Sequence, residues 1–307
     1  MNIWRNVVLG SLALFLSAQM AFGWGRDAHR IINQVAIQAL PADVPAFLRS
    51  RSAIEQMEYL GPEPDRWRSS NTLNQSQAPE HFIDLELADQ VEPGGLPSDR
   101  YTFILDVYRA RTHHPNFPAG LAPRKIGFLP WRVNEEFERL RVDMREYRTR
   151  LAEHRESAEV AQAILYDAGI LGHFVADGSQ PLHTTVNYNG WVEAKNPYGF
   201  TRLPGIHSEF ESQFVHDNFE AMDILPLVAA KPRALHSPFQ DFVEYLLASH
   251  NQVQTVYRLA KEHGFGGPGT PESRRFTADR IAAGAAMLRD MIYTAWLESA
   301  KAESPAH

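Results

Sequence analysis

The chain contains no cysteine among its 307 residues. Disulfides are therefore excluded as a source of stability and thiolates as metal ligands, so any metal must be held by imidazole, carboxylate or main-chain groups. Basic residues are also in short supply, with 30 Lys and Arg against 37 Asp and Glu and a net charge of −7. Proteins that coat nucleic acid rely on many cationic contacts to phosphate, and this balance argues against that class. It leaves room for an enzyme that grips a single phosphate through metal ions. No alternating apolar and polar series marks a strand, and no repeat or low-complexity segment is evident. The longest apolar stretch, residues 7–20, falls short of the roughly 20 residues a membrane span needs. It follows Arg5 and precedes the small residues Ala21 and Gly23, which reads as an export signal cut after Gly23. The expectation is a signal peptide over 1–23, one domain over 24–307, and an exported protein, periplasmic or secreted, without a stable membrane anchor. The sequence names no protein partner.

Helical periodicity is plentiful. Apolar residues recur at three- and four-residue spacing over 31–40, 44–48, 103–107, 135–151, 160–175, 239–259 and 276–297. Breakers separate them at Gly61-Pro62-Glu63-Pro64, Gly94-Gly95, 115–123, 187–204 and 264–271. This predicts an all-α protein whose last helix starts at Thr277 or Asp279. Residues 131–156 are dense in Glu and Arg at helical spacing, the pattern of a solvated helix face.

Thirteen histidines remain to be sorted. His173 and Asp177 lie four apart inside an apolar helical run, so their side chains leave one face a turn apart and can close on one cation. A carboxylate carried into apolar surroundings is costly alone, and a metal offsets that cost. The helix should end before Gln180-Pro181, with His183 returning from the following turn. His207 and Glu211 repeat the four-residue spacing. Upstream stand Asp65, with Arg68 three residues on, and His81, which opens HFIDLE. Cleavage after Gly23 would give Trp24 a free amine that, with its own carbonyl, can ligate a metal beside His29. Asp65 also reads as a turn or helix cap after Pro64, and Arg68 as a surface ion pair. The candidate ligands are Trp24, His29, Asp65, His81, His173, Asp177, His183, His207 and Glu211, too many for one tetrahedral zinc. They suit a cluster in which one carboxylate bridges. His113 and His114 read as loop surface or an accessory metal site, and the other histidines lack a partner at a recognisable spacing. Trp67, Phe82, Tyr188 and Trp191 read either as packing residues or as rings that stack bases.

These pieces resemble the zinc-dependent phospholipase C and P-one/S-one nuclease superfamily. The resemblance is carried by Trp24-Gly25 with His29, Asp65-x-x-Arg68, His81-Phe82-Ile83-Asp84, the His173, Asp177, His183 series, and His207-x-x-x-Glu211. It implies an all-α fold around three zinc ions. Asp65, His81, His173 and Asp177 would hold one; the Trp24 main chain, His29 and Asp177 a second; His183, His207 and Glu211 the third. Asp177 would then bridge, two zinc ions would lower the pKa of a shared water, and Arg68 would meet the phosphoryl oxygens of a phosphodiester. The five-residue step from Trp24 to His29, Arg68 and the HFID wording are nuclease-like, and Asp84 resembles the carboxylate that bonds a base edge. Glu211, Ser179 and GIHSEFESQFV depart from the nucleases, and Glu211 is phospholipase-like. The implied function is a single-strand-preferring endonuclease on DNA or RNA that leaves 5′-phosphates. Nucleic acid is then the partner, with phospholipid as the alternative substrate and a non-catalytic zinc-binding protein as a third reading.

Overall fold

The computed structural model describes residues 24–301 apart from 114–116 and 118–119. The expected leader, His114 and His307 lie outside the described residues, as does the His113 side chain. The fold is all-α, as the periodicity predicts, and the described residues contain no strand. In the first half the helices are α1 (Arg26–Gln38), α2 (Arg51–Leu60), α3 (Glu63–Trp67), α4 (Asn71–Gln77), α5 (Leu85–Val91), α6 (Arg100–His113) and α7 (Leu129–Ala152). The second half contributes α8 (Ala158–Ser179), α9 (Ile206–Ser208), α10 (Phe214–Asn218), α11 (Ala221–Ile224), α12 (Pro238–His250), α13 (Val253–Lys261) and α14 (Pro271–Glu298). No helix among the described residues is long and apolar enough to cross a membrane.

Helix α8 is the axis of the molecule, and α1, α2, α7 and α14 pack around it. Every residue from Ala168 to Ser179 is buried, which an apolar helix surrounded on all sides requires. Two glycines permit the close approach. A Cβ on Gly169 would fall 2.5 Å from the Leu60 Cβ, and one on Gly172 would fall 1.9 Å from the Asn33 Oδ1. Asn33, fully buried on α1, donates from Nδ2 to the carbonyls of Met57 (2.9 Å) and Gly169 (3.0 Å), so one amide ties α1, α2 and α8 together. This seam carries His29 of α1 against His173 of α8.

Several boundaries differ from the sequence expectation. Helix α14 begins at Pro271, because Thr270 and Ser273 form a reciprocal cap in which each hydroxyl accepts the other residue's backbone N–H. The expected helix over 239–259 is two helices broken near Asn251. Tertiary contacts hold the break: His250 hydrogen-bonds the Thr184 carbonyl, while the Tyr257 hydroxyl donates to the Asn187 carbonyl and accepts from the Gly190 N–H. Segment 44–48 forms a short 3₁₀ turn, Ala46–Arg49, rather than an α-helix. Helix α7 is more than a solvated face, since Trp131, Val133, Phe137, Leu140 and Met144 bury one stripe against the core.

Candidate metal centre

Four histidines and two aspartates meet at the seam of α1, α3 and α8. Asp177 is fully buried. Its Oδ2 lies 3.0 Å from His81 Nδ1 and 3.3 Å from His173 Nε2, and its Oδ1 lies 3.6 Å from His29 Nε2 and 3.4 Å from His183 Nδ1. His29 stacks on His173 with ring centroids 4.0 Å apart, and Asp65 Oδ1 approaches His81 Nδ1 at 3.8 Å. His183 Nε2 faces His207 Nε2 at 3.2 Å, and His207 Nε2 lies 2.8 Å from Glu211 Oε2.

The donors fall into three groups: His29, His173 and Asp177; Asp65, His81 and His173; and His183, His207 and Glu211. Each group converges closely enough for one metal ion, so the buried clusters are able to hold metal ions. His173 belongs to the first two groups, and Asp177 touches members of both.

These contacts are not ordinary ion pairs. Burial pushes the Asp177 carboxyl well above the usual carboxylate range, and burial pushes His29, His81 and His183 well below theirs. An ion pair would require the opposite protonation on both sides. Several donor atoms also lack any hydrogen-bond partner, namely both ring nitrogens of His29, His81 Nε2 and Asp177 Oδ1. Buried polar atoms are rarely left so, and a cation in the cluster would satisfy the two that face it, His29 Nε2 and Asp177 Oδ1.

The outer contacts fix the ring orientations. His173 Nδ1 donates to the Gly61 carbonyl (2.8 Å), His183 Nδ1 to the His81 carbonyl (2.7 Å) and His207 Nδ1 to the Tyr188 carbonyl (3.0 Å). In each ring that turns Nε2 toward the cluster, the usual support for a ligating histidine. Helix geometry sets these positions. Gly61 ends α2, and the following Pro62 to Pro64 turn starts the five-residue α3, which carries Asp65 inside the helix rather than as its cap. Glu211 sits in a π-helical turn over Glu209–Gln213, a widened turn that still joins it to His207.

The eight side-chain candidates of the sequence come together, and Trp24 is a separate case. Its side chain is fully buried, its indole N–H donates to Ser179 Oγ at 2.7 Å, and its ring lies 5.1 Å from that of Phe210. The ligand expectation for Trp24 concerns its main chain, next to which the Gly25 N–H donates to the Glu211 carbonyl. Ser179 thus anchors the Trp24 indole.

His81, His183 and His207 open into a cavity of about 490 Å³, which Arg68, Asp84, Lys125, Phe82 and Tyr188 also line. Arg68 is no surface pair: it is mostly buried, with Nη1 at 3.4 Å from Asp65 Oδ1 and Nε donating to Asn74 Oδ1 at 3.1 Å. Burial, and then Glu86, lifts the Asp84 carboxyl to about 7. Phe82 and Tyr188 face the cavity, whereas Trp67 and Trp191 pack elsewhere, their indoles bonded to Glu63 and to the Lys195 carbonyl.

Three contributors were not apparent from sequence. Gln180 is fully buried and donates to Glu211 Oε2 at 3.1 Å, and its place before Pro181 marks only a helix end. Arg132 lies over the Phe174 ring, which itself packs on His81 and His173. Lys125 enters the cavity from a segment more than forty residues from any ligand in sequence. His216 has a partner too distant in sequence for spacing to reveal, Asp27 at 2.7 Å. No family model matches the chain, and no curated protein matches it significantly.

Proposed function

We propose that the protein is an exported zinc-dependent phosphodiesterase of the phospholipase C and P-one/S-one nuclease group, acting as an endonuclease on single-stranded DNA or RNA and leaving 5′-phosphates. The observation that carries this reading is one cavity in which candidate ligand histidines, a fixed guanidinium, a carboxyl and two aromatic rings meet. Three zinc ions are the cofactor of this reading. Asp65, His81, His173 and Asp177 would hold one, the Trp24 main chain, His29 and Asp177 another, and His183, His207 and Glu211 the last. Bound zinc supplies a water of lowered pKa and neutralises charge on phosphoryl oxygens.

The chain's own residues do the rest. Arg68, held by Asp65 and Asn74, presents a planar fork whose geometry matches paired phosphoryl oxygens. Asp84 meets a base edge by hydrogen bonding, and Phe82 and Tyr188 offer ring faces on which a base can stack. A base reaches such faces only out of a duplex stack, which gives the single-strand preference.

Phospholipase C is the second reading, and a specific observation favours it. Glu211 fills its group with the longer carboxylate, and an acid beside two rings also suits a trimethylammonium headgroup. Zinc-loaded protein incubated separately with single-stranded DNA, RNA and a phosphatidylcholine emulsion decides between them. The nuclease reading expects oligonucleotides ending in 5′-phosphate and no free phosphocholine. Phosphocholine release without nucleic-acid cleavage assigns the phospholipase, and no turnover of any substrate at full zinc content assigns a non-catalytic zinc protein.

A further inference from the structure

We infer that Lys125 binds the phosphate adjacent to the one being cleaved and so selects a polynucleotide over a phospholipid. This rests on the nuclease reading and names the substrate feature that the cavity selects.

Two cations line the cavity, and they are in different situations. Arg68 is committed to Asp65 and Asn74 beside the ligand groups. The Lys125 ammonium is exposed, and no hydrogen bond or ion pair engages it among the described residues. The backbone just after it, by contrast, is held closely to the strip that carries His81 and Asp84. Asp84 N–H donates to the Ile126 carbonyl at 2.7 Å, Phe128 N–H to the Pro79 carbonyl at 2.7 Å, and Leu129 N–H to the Phe82 carbonyl at 3.2 Å. Gly127 lies at φ +100°, and a Cβ there would fall 2.1 Å from the Phe82 carbonyl oxygen, so only glycine allows this lacing. A rigid turn therefore delivers one unpaired cation into the cavity beside Asp84.

Charge decides what that cation meets. A phosphatidylcholine substrate has a single phosphate, already shared by the metal ions and Arg68, and its headgroup ends in a quaternary ammonium that Lys125 repels. A polynucleotide brings a second phosphate one nucleotide away, where a flexible ammonium acts as a point-charge partner. The volume of about 490 Å³ also exceeds what one phosphodiester group needs and falls within the range of nucleotide-sized ligands.

The test is a cycle between protein and substrate. Wild type, Lys125→Ala and Lys125→Arg, each checked for zinc content, are assayed on a tetranucleotide. The same substrate is then used with a neutral methylphosphonate placed in turn on the 5′ and the 3′ side of the scissile bond. Lys125→Ala should lower kcat/KM on the all-phosphate substrate about tenfold. One of the two methylphosphonates should lower wild type by a similar factor yet leave Lys125→Ala little changed, and Lys125→Arg should restore most of the loss. Binding of a tetranucleotide made uncleavable by methylphosphonate at the scissile position should show a log–log salt slope flatter by about 0.7 in Lys125→Ala, the loss of one phosphate contact. Additive losses at both flanking positions, or an unchanged salt slope, overturn the Lys125 assignment while leaving the nuclease standing. A wild type that cleaves no tetranucleotide but releases phosphocholine from lipid overturns the parent reading as well.

Discussion

Asp177 shows how one residue can organise a site. Both of its oxygens are buried among four histidines; Oδ2 meets His81 Nδ1, but Oδ1 has no hydrogen-bond partner, so half of the carboxyl goes unmatched unless a cation joins it. Asp177→Asn preserves the shape and removes the charge that, in the proposed reading, two ions would share. It should lower zinc content by at least one ion per chain and reduce turnover by about a thousandfold or more, several kcal/mol of lost charge stabilisation. Metal analysis alongside single-substrate kinetics checks this; full zinc content with normal rates would remove Asp177 from the bridge. Asp84 makes a different prediction, because its carboxyl sits near 7 through burial and the nearby Glu86. Below pH 7 it is protonated and donates a hydrogen bond, and above pH 7 it only accepts. Bases with donor-rich edges, guanine first, should therefore gain relative to the others as pH rises through 7, by up to the roughly 1.5–3 kcal/mol of a charged hydrogen bond. Cleavage-site mapping at pH 6 and pH 8 would expose this swing, and Asp84→Asn should abolish it. A base preference constant across that interval in wild type would return Asp84 to a supporting contact.

At the scale of elements, the joint between α7 and α8 has its own titration. Asp143 of α7 and Asp167 of α8 share a hydrogen bond, and burial, then Asp143 and Glu136, raise Asp167 to about 7. Arg139 opposes the shift without cancelling it. Since the folded value lies above the unfolded one near 4, the pair contributes its full stability below pH 4 and loses it as pH rises through 7. Asp167→Asn keeps a donor toward Asp143 at every pH. Thermal melts should show wild type losing about 2–4 °C relative to this variant between pH 6 and pH 9, the effect of about 1 kcal/mol after solvent screening of a half-exposed pair. Parallel curves for the two proteins would show the pair to be inert. The elements differ in how far sequence reveals them. Helix α8 and its end before Gln180 were legible because an apolar periodic run meets a proline. The four-residue pairs His173 with Asp177 and His207 with Glu211 were legible for the same geometric reason. The break between α12 and α13 was not, because no glycine or proline makes it and the partners of His250 and Tyr257 lie some sixty to seventy residues away. The π-helical turn under Glu211 likewise leaves no trace in an apolar period. Lys125 was hidden because an exposed lysine in a turn looks like any other until the fold laces that turn to Phe82 and Asp84.

At the scale of the whole molecule, the five buried histidines among the described residues meet at one place with Asp177 and Glu211, and this couples metal to stability. Eight side chains of the three groups come from segments between residues 29 and 211, and helices α1, α2, α3 and α8 all end on or pass through the cluster. Without a cation the fold must bury Asp177 and a set of histidines whose donor atoms go unmatched. With one, His29 Nε2 and Asp177 Oδ1 gain a partner beside His173, His183 and His207, whose rings the Gly61, His81 and Tyr188 carbonyls already orient. A ligand that binds only the folded state stabilises it by about 2.7 kcal/mol at a free concentration one hundred times its Kd. Each kcal/mol is worth about 2–4 °C in Tm for a chain somewhat shorter than this one. Titrating zinc into chelator-stripped protein should therefore raise Tm steadily by roughly 5–10 °C at a hundredfold excess over Kd, and more than one binding phase should appear. Magnesium, which prefers oxygen ligands in octahedral geometry, should do far less at a site made largely of imidazole. The control is Asp177→Asn: its zinc-dependent rise should shrink while its metal-free Tm should be equal to or higher than that of wild type, because a neutral amide costs less to bury than a carboxyl caught without its cation. A wild-type Tm indifferent to zinc, with the helical signal intact after stripping, would mean that the cluster is satisfied by protein contacts alone.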